Sequence, residues 1–455
     1  MARPIKWFVG IMIRPNITPL PDPAEKRQGR QYRDWSADYR FYSHDRCEPE
    51  LLFDRARRET EQLLPEQDSM VVAMDDSILR KTGQKIHGVS YRRDPLGPPF
   101  HVNFVRAQRF VQLSMALPQG SEGAARMIPV DFQHAPTSPK PRKTAPKDDW
   151  DHYKQESKKT NINRVGVDCI SRLRKKMDRS SSAKRTLIVG VDGRFTNKTV
   201  LKNLPPKTIV VGRVRKDAQF HYLPEEQTDR GRKKIYGLRA PTPEQLRQDP
   251  SVPWKRIKAY AAGKVHSFKI KTLEGLRTRM RGAVPVRVIV IAPLAYRLTK
   301  SSKVLYRQPA YLICTDHKLS LKKLLQDYLW RWGIEVNFRD QKTLLGLGQA
   351  QVRNVQSNQN LPAMSVASYA LLLLASVKVY GTDGQPDAIP LPKWRGTNPK
   401  PAVSTNRLIN QLRHELWADS IQPHHFSGFS SSTPSDQNPE KSIFALNHAL
   451  FSASA

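Results

Sequence analysis

The stretch Thr186-Leu-Ile-Val-Gly-Val191, running straight into Asp192-Gly193, decides the fold class of this chain. It is apolar without alternation, as a strand covered on both faces requires, and strands of that kind belong to α/β sheets. The surrounding pattern agrees. A helix with a basic face (Arg172, Arg174, Lys175, Lys176) is predicted over 161–177, a second helix over 197–204 and a strand over 208–213. Upstream, Met70-Val-Val-Ala-Met74 reads as a short strand ending at Asp75-Asp76-Ser77, followed by strands over 101–105 and 110–117.

Further out the rhythm changes. Residues 1–30 hold Pro4, Pro15, Pro19, Pro21 and Pro23 and read as an irregular arm, and 31–69 as a helical N-terminal segment. The core then occupies 70–213 and 316–380. Between its two parts lies a basic, β-rich insertion, 214–315, with strand-like pieces at 286–291 and 308–314. A long helix is expected over 319–347 and a buried apolar helix over 364–379. Residues 381–455, rich in Pro, Ser, Asn and Gln, read as a flexible, mostly disordered tail.

Lys and Arg total 76 against 41 Asp and Glu, a formal net charge of +35. Such a balance favours a polyanionic partner, and nucleic acid is the first expectation. Cys47, Cys169 and Cys314 form no CxxC pair, which argues against a zinc or disulfide framework and fits a reducing cytoplasm. The most apolar run, 367–377, is too short to span a bilayer, so no membrane association is expected.

Chemistry concentrates in Tyr328-Leu-Trp-Arg331-Trp-Gly-Ile-Glu335-Val-Asn-Phe-Arg-Asp-Gln-Lys342. At about 100° per residue, Tyr328, Arg331, Glu335 and Lys342 fall within one ~60° stripe of a helix. An ordinary solvated face has no reason to hold a tyrosine there. Trp330, Trp332, Ile334 and Phe338 are expected to bury the rest, so Glu335 needs a cation or metal beside it. Gly333, which costs about 1 kcal/mol in a helix interior, implies close packing or a bulge. Two further carboxylates close apolar strands: Asp76 after 70–74 and Asp192 after 187–191. Strand ends of an α/β sheet are where ligand sites gather, although aspartate is also an ordinary turn residue.

The Tyr-x2-Arg-x3-Glu-x6-Lys spacing of Tyr328, Arg331, Glu335 and Lys342 resembles the signature of bacterial DDE transposases of the insertion-sequence-four-like branch. Asp75-Asp76-Ser77 with Lys81 and Gly83 resembles that family's first aspartate block, and Val191-Asp192-Gly193-Arg-Phe-Thr-Asn197 its second. The resemblance covers roughly residues 45–380. It implies an RNase H-like mixed sheet flanked by helices, with Asp76, Asp192 and Glu335 as catalytic residues holding two Mg2+ ions, for which Mn2+ can substitute. The family pattern implies Asp76 rather than Asp75, because an acidic residue usually precedes the ligand. Tyr328, Arg331 and Lys342 are then DNA contacts, and Trp254 in the basic insertion becomes a candidate to stack on an unpaired base.

On this reading the chain cleaves insertion-sequence ends and joins them to target DNA, working as a homodimer on paired ends of double-stranded DNA in the bacterial cytoplasm, at the nucleoid. Residues 31–69 and the basic arm would supply DNA contacts. Two other readings use the same residues: an RNase H-like nuclease without strand transfer, and a domesticated DNA-binding protein without catalysis.

Overall fold

The computed structural model describes residues 41–44, 48–65, 69–94, 97–98, 100–119, 123–226, 232–298, 301–382 and 403–417. The arm 1–30 lies outside the described residues. In chain order the elements are α1 (Pro49–Gln62), β1 (Met70–Arg80), β2 (Ser90–Arg93), β3 (Phe104–Gln119), β4 (Ala124–His134), α2 (Lys147–Lys159), α3 (Ile162–Asp178), β5 (Leu187–Val191), α4 (Lys198–Lys202) and β6 (Thr208–Arg213). There follow α5 (Pro243–Gln248), β7 (Lys255–Ala261), β8 (Lys264–Thr278), β9 (Gly282–Ile291), the short pair β10 (Ala295–Tyr296) and β11 (Leu305–Tyr306), and β12 (Ala310–Cys314). The last helices are α6 (Leu321–Trp330), α7 (Trp332–Leu344), α8 (Val355–Tyr380) and α9 (Thr405–Trp417).

One mixed sheet organises the chain, in the order β2-β3-β1-β5-β6-β12-β9-β8-β7, with β4 paired to β3. β1, β5 and β6 run parallel, while β3 and β4 are antiparallel to their neighbours. Antiparallel strands on one side of β1, parallel ones on the other and helices on both faces make an RNase H-like α/β fold. The strands of the β-rich segment join this sheet through β12, which pairs with both β6 and β9.

Strand alternation divides the core into two faces. Met70, Val72 and Met74 of β1 and Val189 of β5 pack with Val167, Ile170 and Leu173 of α3. Val71, Ala73 and Ile188 point the other way, onto Leu324 and Leu325 of α6 and Ile334 and Phe338 of α7. Burying each such leucine- or valine-sized side chain contributes about 1.5–3 kcal/mol, so both helix layers are held chiefly by this sheet.

Several elements differ from the sequence expectation. β1 does not end at Met74 but continues to Arg80, because β3 supplies a partner for every residue as far as Arg80↔Ala107. The strands expected over 101–105 and 110–117 merge into one long strand, β3, which begins only at Phe104. β4 carries Pro129, which reads against a strand; it is accommodated at an edge strand where the register with β3 shifts between Leu113 and Ser114. The single helix expected over 319–347 is two abutting helices. At the junction Arg331 N–H donates to Tyr328 O and Ile334 N–H to Arg331 O, both at 3.1 Å, a tightened i→i+3 turn.

α8 is long and apolar enough to cross a membrane by length and composition, but 67% of its most apolar window is buried inside the protein. Val366 and Ala367 pack with Phe53 of α1 and Phe132 of β4. Within the segment read from composition as a tail, α9 buries Leu408 and Ile409 in the main core. Thr405 Oγ1 donates to Asp340 Oδ2 of α7 at 2.6 Å. Most of that segment, 383–402 and 418–455, lies outside the described residues.

Candidate active site

β1 outruns its parallel neighbour. The last β1–β5 partners are Met74 and Val191; beyond them Asp75 and Asp76 pair only with Gln112 and Val111 of β3. Both carboxylates therefore stand where the sheet opens, beside the turn that follows β5. Alternation sends them to opposite faces. Asp75 is in phase with Val71 and Ala73, on the side of α6 and α7, and Asp76 with Val72 and Met74, on the side of α3.

On the Asp75 side the Arg331 guanidinium bridges two acids. Its Nη1 donates to Asp75 Oδ2 at 3.2 Å and its Nη2 to Glu335 Oε1 at 3.1 Å. Arg331 lies over Gly190, where a side chain's Cβ would meet the Arg331 Cβ at 3.5 Å. The same guanidinium stands 5.8 Å from the centre of the Tyr328 ring. Burial raises the Tyr328 hydroxyl pKa, against the pull of Arg331. Asp75 is itself pushed up to about 7 by burial and then by the charge of Asp192, with Arg331 opposing.

Asp192 closes β5 with a turn of its own. Its Oδ1 accepts the backbone N–H groups of Arg194 and Phe195 at 2.9 and 3.2 Å, and Thr196 Oγ1 donates to its carbonyl at 2.8 Å. The turn role and the charge coupling to Asp75 thus coexist in one residue. Glu335 sits in the first turn of α7, and the position of that helix is fixed nearby. A Cβ on Gly333 would fall 2.4 Å from Met127 Cγ, so glycine permits the close approach of α7 to β4. Two residues beyond Glu335, Asn337 Nδ2 donates to Met127 O and Ser114 Oγ at 3.0 and 3.2 Å.

Asp76 has a different company. Arg109 Nε and Arg194 Nε lie 3.2 Å from its two oxygens. Burial raises its pKa, while Arg194 and Arg109 counter that rise. Arg92 is near enough that burial, the adjacent Arg109 and Arg194 push its own pKa to about 10, against the pull of Asp76. Lys342, at the far end of the sequence stripe, is lowered by burial and by Arg80, with Asp76 opposing. The stripe therefore divides: Tyr328, Arg331 and Glu335 gather around Asp75, and Lys342 lies toward Asp76.

Among the described residues no three His, Cys, Asp or Glu side chains are grouped to hold a metal ion. The donor set still fits a hard divalent cation in kind, since it offers carboxylate oxygens alone. Burial first, and then the charge of Asp192, keep the Asp75 carboxyl raised despite Arg331.

Other expected site residues are placed as follows. Trp254 is half-buried against the core, and Lys271 Nζ covers its ring at 4.7 Å. Trp330 is held by its Nε1 donating to Gly123 O at 2.8 Å. Trp332, expected to be buried, is 60% exposed at the start of α7. Lys81 is structural: its buried ammonium donates to Gly348 O at 3.0 Å and also to Ala350 O, tying β1 to the loop after α7. Arg92, Arg109 and Arg194 carry no signal in the sequence, because their separation along the chain follows no helical or strand spacing.

No curated protein matches the chain. A family model described as DDE superfamily endonuclease matches residues 24–279, more than half of the sequence. The match contains Asp75, Asp76 and Asp192 and stops before the helix that carries Glu335. A mixed sheet with acidic residues on β1 just past its pairing with β5 and at the end of β5, together with this match, places the chain among the DDE superfamily endonucleases.

Proposed function

We propose that this endonuclease is a DNA transposase of the insertion-sequence-four-like branch, which cuts the ends of its element and joins them to target DNA. The observation that carries the reading is the Asp75–Arg331–Glu335 bridge on the sheet face that α7 covers. It brings the first aspartate block and the Tyr-Arg-Glu-Lys helix together across the fold.

We assign Asp75, with Asp192 and Glu335, as the carboxylates that hold Mg2+. Support for Asp75 over Asp76 comes from its sheet face and its bridge through Arg331 to Glu335, since the charge of Asp192 acts on both aspartates. Bound divalent metal would supply Lewis-acid stabilisation and an activated water for phosphodiester cleavage. The chain's own residues do the rest. Arg331, freed from its two acids, can turn its planar fork to a phosphate. Tyr328 buttresses that guanidinium, and Lys342 adds positive charge at the far end of the stripe. The net charge of +35 favours double-stranded DNA as the substrate.

The test uses the full chain and DNA carrying the inverted repeats that flank its own gene. Wild type should nick and then join that DNA in Mg2+, and Glu335→Gln should bind it yet do neither. Cleavage by Glu335→Gln at the wild-type rate overturns the site. Cleavage by wild type without any joined product overturns the transposase reading and leaves a nuclease.

A further inference from the structure

Three arginines surround one aspartate on the sheet face opposite Arg331. Arg109 comes from β3, Arg194 from the turn after β5 and Arg92 from β2, and all three act electrostatically on Asp76. The cluster carries two more positive charges than negative ones. Arg92 Nε is buried and has no hydrogen-bond acceptor among the described residues, and Arg109 Nε is engaged by the Asp76 carboxylate at 3.2 Å. Arg92 has one lateral support, Thr137, whose hydroxyl takes its Nη2.

A single structural ion pair does not account for this arrangement. One guanidinium would neutralise Asp76, and each further one adds desolvation and mutual repulsion. A buried donor without an acceptor adds its own cost. Guanidinium forks converging with spare donors match the oxygens of a phosphate group. Nearby, Arg80 Nη2 is engaged by Asp94 at 2.7 Å, while Lys342 contributes another positive charge facing Asp76.

We propose that Arg92, Arg109 and Arg194 form a phosphate-binding site for the DNA backbone, organised by Asp76 and adjoining, on the opposite sheet face, the Asp75–Arg331–Glu335 bridge. The inference rests on DNA being the substrate, as proposed above. Asp76 then serves as a built-in counter-anion: it holds the arginines in place without DNA and shares them with a phosphodiester when DNA binds. The site would seat a phosphate flanking the one that is cut, across the β1 strand from Glu335.

The test is binding of a fluorescently labelled DNA duplex in EDTA, so that cleavage plays no part. The slope of log K against log salt should flatten by about 0.9 in Arg109→Gln/Arg194→Gln, the loss of one phosphate contact. A charge-matched control at exposed positions, Arg164→Gln/Arg215→Gln, should change it less. Asp76→Asn should tighten duplex binding severalfold, because the competing anion is gone. Inorganic phosphate, compared with chloride at equal ionic strength, should raise the melting temperature of wild type and not of the double variant. An unchanged slope in the double variant, equal flattening by the control, weaker binding by Asp76→Asn, or no phosphate-specific stabilisation each overturns the site. If wild type fails to cut DNA while these binding results hold, the endonucleolytic reading falls and the phosphate site stands.

Discussion

Arg331 and Asp75, 256 positions apart in sequence, meet at 3.2 Å, and the same guanidinium turns its other nitrogen to Glu335. A helix residue thus stands between two acids that separate elements deliver. Arg331 ties the two carboxylates into one arrangement.

The two neighbouring aspartates should separate cleanly in cleavage assays. Asp75→Asn is expected to lower Mg2+-dependent cleavage by more than about a hundredfold, beyond what losing an outer partner of a metal ligand costs. Asp76→Asn should lose less. Rates on supercoiled DNA measure both, and a deeper loss for Asp76→Asn would reverse the assignment.

Stability without divalent metal should depend on pH through Asp75. Its pKa of about 7 in the folded protein lies above the ordinary 3.8, so between about pH 4 and 7 the native state keeps a proton that the unfolded chain has released. Stability therefore falls as pH rises through that window and levels off above it. Asp75→Asn removes this dependence, so the variant should gain on wild type toward pH 7 in EDTA melts. Divalent metal favours the ionised carboxylate and should stabilise wild type more at high than at low pH. A variant-minus-wild-type difference that stays flat with pH would contradict the burial of Asp75.

Gly333→Ala tests the contact that seats the Glu335 helix. Alanine gains about 1 kcal/mol of helix propensity. Its Cβ, however, would lie 2.4 Å from Met127 Cγ, and overpacking of that kind costs about 1–3 kcal/mol. We expect a net loss of stability in denaturant titrations together with reduced cleavage, since α7 must shift. A stabilised, fully active variant would show that α7 and β4 are not in close contact.

Thr405→Val tests the docking of α9 on the same helix. The hydroxyl donates to Asp340 Oδ2 at 2.6 Å, while Arg339 takes the other oxygen at 2.9 Å. Losing the hydroxyl leaves a buried carboxylate oxygen short of a donor, worth about 1–3 kcal/mol. Chemical denaturation should show that loss, and proteolysis should cut near α9 sooner. No change in either would mean that α9 is not held by Thr405.

The sequence by itself pointed to the α/β class, because an unbroken apolar run such as 187–191 alternates with helical segments on either side. It also pointed to the grouping of Tyr328, Arg331 and Glu335 and to the close packing at Gly333, whereas the helix break at Arg331 and the place of Lys342 toward Asp76 needed the fold. Tertiary structure decided the rest. Asp75 and Asp76 are adjacent and identical in local sequence terms, and only the continuation of β1 along β3 assigns them to opposite faces. The arginines around Asp76 come from three elements brought together by sheet order, so no spacing along the chain announces them. Trp332 is expected from its apolar neighbours to be buried and Trp254 to reach a base, yet packing leaves the first 60% exposed and sets the second against the core beneath a lysine. Periodicity reports which way a side chain faces within its own element, while long-range pairing determines what it faces.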